Sequence, residues 1–331
     1  MRTQGGIFPK GLPLLEKGVL RVLSPGGRQG LSILIYHRVL PQKDPLLPDE
    51  VDRVEFGGHL ELLRSRFNVL PLLDATRLMR EGRLPPRAAC ITFDDGYADN
   101  AEVALPVLQQ HGLHATFFVA SGFLNGGRMW NDTVIETVRM AEGEHLDATA
   151  LGLGRHAIGT VQDRRNAIGA LIGQLKYRDM DERLELVQQL AALIGRKLRD
   201  DLMMNTEQLR KLHAAGMHIG AHTVHHPILA RVPVERARSE IEAGKLALEN
   251  MLGAPVSLFA YPNGKPGTDY GADHVDIVRE LGFEAAVSTA SGAARRKQDF
   301  FQLPRFTPWD RSAFRFVMRL AHNLSKDAAV A

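Results

Sequence analysis

Seven short apolar segments alternate with amphipathic helical patterns along most of this chain. Strands and helices that alternate in this way form a parallel sheet, because each crossover helix returns the chain to the same end of the sheet. The pattern therefore predicts an α/β fold whose sheet is either open or closed into a barrel. The predicted strands are residues 32–36, 67–70, 88–93, 115–120, 217–221, 257–261 and 284–288. The predicted helices between them are residues 56–66, 74–81, 100–111, 206–215, 233–252 and 274–281.

The composition excludes several classes of protein. With 44% hydrophobic and 24% charged residues in 331 positions, the chain is typical of globular proteins. A net charge of +3 is too small to indicate nucleic-acid binding. Its single cysteine, Cys90, lies in a predicted strand and has no intrachain partner. We find no signal-peptide core and no apolar run of membrane-spanning length, so we expect a cytoplasmic protein or one at the inner membrane surface.

The strand and helix rhythm is interrupted once. Residues 121–205 contain helical patterns and no convincing strand, which predicts a helical insertion within a barrel domain of residues 31–310. Residues 1–30 are interpreted as an N-terminal extension and residues 311–331 as a C-terminal helix and tail. Both terminal segments combine basic with apolar residues, so they could pack on the barrel or make peripheral contact with a membrane surface.

Two adjacent carboxylates follow the third predicted strand. Asp94 and Asp95 come directly after the apolar run and are followed by Gly96. Taken alone, the motif is typical of a strand that ends in an Asp-Gly turn. In parallel α/β folds, however, the carboxyl ends of the strands carry the active site, so the same residues are candidates for chemistry.

A histidine cluster follows the fifth predicted strand. His222 and His226 are four residues apart, whereas His222 and His225 are three apart, and either pair can reach one point from a helical turn. One carboxylate and two imidazoles would form a three-ligand metal site with an open position for water. The second carboxylate would then be free to act as a general base.

These residues resemble motifs of the polysaccharide deacetylases of carbohydrate esterase family four. Residues 92–97 (Thr-Phe-Asp-Asp-Gly-Tyr) look like its first motif and residues 222–227 (His-Thr-Val-His-His-Pro) like its second. The resemblance implies that Asp94 is the general base and that Asp95, His222 and His226 bind a divalent metal, zinc above all, with cobalt and nickel as alternatives. It also implies a deformed (β/α) barrel with about seven parallel strands.

The third motif departs from the family pattern. Residues 259–264 (Phe-Ala-Tyr-Pro-Asn-Gly) have Ala260 where the family has an arginine that holds the catalytic carboxylate. Arg305 is our candidate for that function. This form is similar to the subgroup that deacetylates poly-N-acetylglucosamine and other exopolysaccharides. The resemblance implies substrate or oxyanion contacts at Tyr261, Pro262 and Asn263, with the Asn263 amide as the oxyanion donor.

A Tyr-His pair ends the first predicted strand. In the same subgroup such a pair carries the general acid, which here would be His37. Imidazole suits that task because it exchanges a proton near neutral pH. His37 could instead cap the strand, and His322, within a predicted helix, is the rival acid. Trp130 could stack on a sugar ring or simply lie where a helix begins.

The combined motifs predict a metal-dependent N-deacetylase acting on an N-acetylhexosamine glycan. Two alternatives keep the fold and the metal but act on a non-polymeric amide or remove O-acetyl groups from an ester. A third alternative, from a different class, is an inactive glycan-binding module.

Overall fold

The computed structural model describes residues 18, 20, 22–27, 29–308, 312–326 and 328–331. The strands are β1 (Gln29–Tyr36), β2 (Val39–Leu40), β3 (Val51–Asp52), β4 (Asn68–Val69), β5 (Ala88–Phe93), β6 (Thr116–Val119), β7 (His145–Ala148), β8 (Gly154–Ala157), β9 (His218–Ala221), β10 (Leu258–Ala260), β11 (Ala285–Val287) and β12 (Ala294–Arg295). The α-helices are α1 (Arg53–Arg66), α2 (Leu72–Glu81), α3 (Leu105–His111), α4 (Trp130–Met140), α5 (Val161–Leu175), α6 (Met180–Ala192), α7 (Thr206–Ala214), α8 (Val234–Leu252), α9 (Ala272–Glu280) and α10 (Ala313–Leu324).

The main sheet confirms the predicted parallel strands. Its order is β11, β10, β9, β6, β5 and β1, with β4 also paired to β5, and these seven strands correspond to the seven apolar segments. The short strand β12 runs antiparallel to β1. Single parallel bridges join Leu303 to Val287 of β11 and Phe306 to Leu34 of β1. Residues 303–306 therefore lie between β11 and β1 in space and run beside both strands. The fold is therefore the predicted deformed (β/α) barrel.

Burial explains why the strand segments are continuously apolar. All six residues of β5 are buried. One face of the sheet is covered by helices, and the other face packs in the interior of the barrel. Helix ends follow local chemistry as well. In α7 the Asn205 side chain accepts from the Gln208 amide at 2.8 Å, and the Gln208 side chain accepts from the Asn205 amide at 2.8 Å. The parallel arrangement brings the carboxyl ends of the strands, and the loops that follow them, to one end of the barrel.

The insertion has its own small core. Helices α4, α5 and α6 bury apolar side chains against each other and against β7, including Val134, Val138, Leu146, Leu171, Leu175, Val187 and Leu190. The expectation that this region lacks strands is wrong, since β7 and β8 pair as an antiparallel hairpin. Their sequences, HLDA and GRHA, contain no β-branched or aromatic residue, so strand propensity gave no signal.

The structure describes the two ends of the chain only in part. Residues 1–17 of the predicted N-terminal extension lie outside the described residues. Helix α10 packs Phe316 and Leu320 into the main core, while Phe314 and Met318 are exposed. In the part of the chain that the structure describes, no helix combines the length and apolar character needed to cross a membrane.

Candidate active site

The two carboxylates after β5 face different partners. Asp94 and Asp95 are only 3% and 6% exposed. Asp95 has φ of 75°, in the left-handed region, so the strand does not continue through the pair. This turn, rather than the alternation of a strand, directs Asp94 toward Arg305 and Asp95 toward the histidines after β9.

Arg305 forms a bidentate ion pair with Asp94. Its Nη1 and Nη2 each donate to one carboxylate oxygen at 2.6 Å, and its Nε donates to the Ser288 carbonyl at 2.9 Å. Arg305 is 2% exposed and lies in the segment that runs between β11 and β1. Burial opposes ionisation of Asp94, but the charge of Arg305, the charge of His222 and the hydrogen bonds from Arg305 together outweigh it, so the pKa of that carboxyl lies below its usual value. Asp94 is therefore held as an oriented carboxylate.

Asp95, His222 and His226 form a cluster suited to a metal ion, with one ligand atom of each within 4.8 Å of the others. Asp95 Oδ1 lies 3.5 Å from His222 Nε2 and 3.4 Å from His226 Nε2. His222 Nδ1 is 2.7 Å from the Ala260 carbonyl, which can only accept, so the free lone pair of the neutral ring is on Nε2, toward Asp95. Burial lowers the pKa of His226 to about 4, which keeps that imidazole neutral near pH 7.

His225 turns away from this cluster. Its Nδ1 lies 2.8 Å from Glu240 Oε1, and the other Glu240 oxygen accepts from the Val224 and His225 amides at 3.1 and 2.8 Å. The neighbouring helix α8 can approach this loop closely because Gly244 has no side chain. A Cβ at that position would lie only 2.7 Å from the Thr223 carbonyl carbon. Of the two histidine pairs that the spacing allowed, the structure brings His222 and His226 together.

Backbone strain concentrates in the loops at this end of the barrel. Six described residues other than glycine have positive φ. Three of them, Asp95, His226 and Asn263, belong to the candidate site, and a fourth, Thr223, lies between His222 and His226 in the same loop. Such conformations cost on the order of 1 kcal/mol or more for each residue and persist where the surrounding contacts enforce them. Their clustering here indicates a functional site.

One cavity of about 250 Å³ joins these groups. Its lining consists of His37, Asp94, Asp95, Met129, Trp130, Asn131, Ile172, Lys176, His222, His226, Asn263 and Thr289. His37 enters from the loop after β1, where its carbonyl accepts from Asn100 Nδ2 at 2.9 Å. The Asn263 N–H, beside the same cavity, has no acceptor among the residues that the structure describes. The cavity thus combines a paired carboxylate, a metal-type cluster, an imidazole and a free amide donor.

Three predicted candidates lie elsewhere. Tyr261 is fully buried, stacks on Tyr270 with ring centroids 3.8 Å apart, and donates to the Phe301 carbonyl at 3.0 Å. Tyr261 and Pro262 are buried and absent from the lining of this cavity, so their substrate contact stays a prediction. His322 is on the exposed side of α10 and does not line the cavity either.

Some lining residues were not anticipated from the sequence. Ile172 and Lys176 come from the insertion, and periodicity alone could not show that the end of α5 reaches the barrel mouth. Thr289 follows β11 and donates to the Asn263 carbonyl at 2.8 Å. Its position after a strand was the one available signal.

A family model and a curated relative both place this chain among the polysaccharide deacetylases. The sequence model of the polysaccharide deacetylase family matches residues 81–146 and 185–286. YxkH of Bacillus subtilis strain 168, itself assigned to the polysaccharide deacetylases, is 22% identical over 277 residues, which make up 83% of this chain and 70% of YxkH.

Solved structures share the fold. The Streptococcus pyogenes deacetylase PplD in complex with acetate has a TM-score of 0.57 at 18% identity and covers 85% of this chain and 92% of PplD. IcaB from Ammonifex degensii has a TM-score of 0.57 at 21% identity and covers 91% of this chain and 99% of IcaB.

Proposed function

The chain belongs to the polysaccharide deacetylase family, and we propose that it is a metal-dependent N-deacetylase that hydrolyses acetamide groups of an N-acetylhexosamine-containing glycan or exopolysaccharide precursor. The observation that carries this proposal is that two adjacent carboxylates in one cavity have different partners. Asp94 pairs with Arg305, while Asp95 faces two histidines. PplD, which shares the fold, is a deacetylase whose structure holds acetate, the acid product of such a reaction.

The donor set fits a divalent cation. At metal–ligand distances of about 2.1 Å, neighbouring ligands of a tetrahedral site lie about 3.4 Å apart. Asp95 Oδ1 is 3.5 Å from His222 Nε2 and 3.4 Å from His226 Nε2. We propose that these three residues hold zinc, with cobalt or nickel as substitutes. A cation at this position would polarise the acetyl carbonyl and make water easier to deprotonate.

The remaining groups then have separate tasks. Asp94, kept ionised and oriented by Arg305, accepts a proton from the attacking water. The unpaired Asn263 N–H donates to the oxyanion that develops on the acetyl oxygen. His37 donates a proton to the departing nitrogen, so that the products are acetate and a free amine.

We expect purified protein supplied with zinc, cobalt or nickel to release acetate from acetylated chito-oligosaccharides, and a chelator to abolish this release until metal is restored. His226→Ala should lose bound metal, measured by mass spectrometry, together with activity. The matched control His225→Gln alters an imidazole that faces Glu240 and should retain the metal. Absence of acetate from every tested oligosaccharide with all three metals would refute the proposed function.

We expect His37→Asn to slow hydrolysis of an N-acetyl substrate by about 10²- to 10⁴-fold, the usual contribution of a general acid. A matched O-acetyl ester should be affected much less, since an alkoxide departs with less need of protonation than an amine anion. The measurement is kcat for both substrates with the same variant. Equal losses on amide and ester would contradict the assignment of His37 as the acid that protonates the departing nitrogen.

A further inference from the structure

The insertion forms one wall of the candidate active site. Trp130 and Asn131 of α4, Ile172 of α5 and Lys176 just beyond α5 line the same cavity as Asp94 and the metal-type cluster. The family match stops at residue 146 and resumes at 185, so α5 and Lys176 lie outside it. This wall therefore adds contacts that the shared motifs do not specify.

Among the described residues that line the cavity, Lys176 is a cation without an ionic partner. The Asp94 carboxylate is occupied by Arg305, and Asp95 faces His222 and His226. Lys176 is partly buried at the wall. Within the described residues its ammonium has no hydrogen bond or ion pair, and its Nζ lies 5.5 Å from the centroid of the Tyr177 ring. An uncompensated ammonium in a concave site attracts an anion.

Arg183 fixes the position of this wall. It is 4% exposed, and its guanidinium lies 4.9 Å from the Trp130 ring centroid. Its Nη1 donates to the Lys176 carbonyl at 3.0 Å. One buried side chain thus contacts both the aromatic ring and the lysine backbone, so the backbone of Lys176 is anchored beside the cavity.

A second cation lies close to the first. Tyr177 is 49% exposed, and the Arg231 guanidinium is 5.6 Å from its ring centroid. The side chain of Arg231 has no carboxylate partner in the part of the chain that the structure describes. Lys176 and Arg231 therefore contact one exposed ring, so two cations lie close together, Lys176 at the cavity wall and Arg231 outside the cavity lining.

We propose that Lys176 is part of an anion subsite, so that the preferred substrate is an acidic glycan carrying a carboxylate or a phosphate next to the N-acetylated sugar. This inference rests on the proposed deacetylase function. The wall supplies both elements that such a sugar needs: an aromatic face at Trp130 for a pyranose ring, and an ammonium at Lys176 for the adjacent negative group.

The test compares a neutral substrate, N-acetylchitotetraose, with a uronate-containing N-acetylglucosamine tetrasaccharide and with N-acetylglucosamine units joined by phosphodiesters. The wild-type protein should have a higher kcat/KM for one of the acidic substrates than for the neutral one, and the preference should weaken with added salt. Whichever acidic substrate is preferred identifies the anion. Lys176→Met should lower the acidic-to-neutral ratio of kcat/KM by about tenfold, mainly through KM, the effect expected of one charge-assisted hydrogen bond.

Two variants control for charge and geometry. Lys176→Arg should retain most of the preference, whereas Lys211→Met makes the same charge change on α7, which contributes nothing to the cavity lining, and should leave the ratio unchanged. An unchanged ratio in Lys176→Met, or an equal fall in Lys211→Met, would overturn the inference. If no substrate releases acetate, the proposed function fails by itself. Calorimetric binding of the acidic tetrasaccharides to wild type and Lys176→Met then still decides whether the anion subsite exists.

Discussion

Asp94→Asn is expected to lower kcat for deacetylation by about 10²- to 10⁴-fold while leaving metal binding intact, because an amide of the same shape cannot accept the proton of the attacking water. The Asp94 oxygens face Arg305, and the metal-type cluster uses the adjacent Asp95. Metal content by mass spectrometry and acetate release under saturating substrate measure the two effects separately. Asp95→Asn, in contrast, should lose both.

Asp99→Asn is the matched control for this prediction. Asp99 is also buried, and it pairs with Arg38 at 2.8 Å, but it does not line the cavity. The same chemical change there should weaken the fold without removing a proton acceptor, so kcat should stay within about tenfold of wild type, well short of the loss of a general base. If Asp94→Asn retained wild-type kcat with metal bound, another group would have to be the base.

Much of the barrel could be predicted from the sequence, because buried parallel strands are read as uninterrupted apolar runs. The segment at residues 88–93 both formed β5 and placed two carboxylates at its carboxyl end. The convergence of Asp94, Asp95 and His222 then follows from topology, since β5, β6 and β9 are neighbours in the sheet. Periodicity and order along the chain were sufficient for these features.

Other features depend on tertiary contacts that periodicity does not encode. The left-handed conformations of Asp95 and His226 are enforced by their loops. Asp and His adopt this conformation more often than most residues other than glycine, but that preference is too weak to predict it at a given position. Spacing could not choose between His225 and His226, because the choice is made by Glu240, which lies on a different element and binds the His225 ring and amide. Lys176 was missed for the same reason, since the packing of the insertion decides which helix end reaches the cavity.

The arginine that pairs with Asp94 could be predicted in part from the sequence, but its place depends on tertiary contacts. Ala260, at the end of β10, occupies the place where the family motif has its arginine, and its backbone carbonyl lies 2.7 Å from His222 Nδ1. The guanidinium beside Asp94 comes instead from Arg305, whose segment lies in space between strands β11 and β1. A motif departure in the sequence can thus be offset by a residue 45 positions away, because the segment that carries Arg305 lies beside the same carboxylate.

Arg305→Met is expected to destabilise the protein by about 3–5 kcal/mol, because it leaves the Asp94 charge buried without its partner. It should also shift the acid limb of the pH–activity profile to higher pH. Burial alone raises the pKa of Asp94, and Arg305 is the main group that lowers it, so removing the guanidinium makes the base harder to ionise. Urea unfolding measures the first effect, and kcat/KM against pH measures the second.

The sign of the pH effect on stability follows from the same pair. In the wild type the pKa of Asp94 is depressed, so its contribution to stability is present above the unfolded-state pKa of about 3.9 and is lost as pH falls through the lower folded-state value. In Arg305→Met the carboxylate should instead destabilise the fold as pH rises. Arg38→Met, which breaks the buried pair with Asp99, should reduce stability without moving the activity profile. If Arg305→Met left the acid limb in place, Arg305 would be a structural residue, and the ionisation of Asp94 would have to be maintained by His222 and the metal.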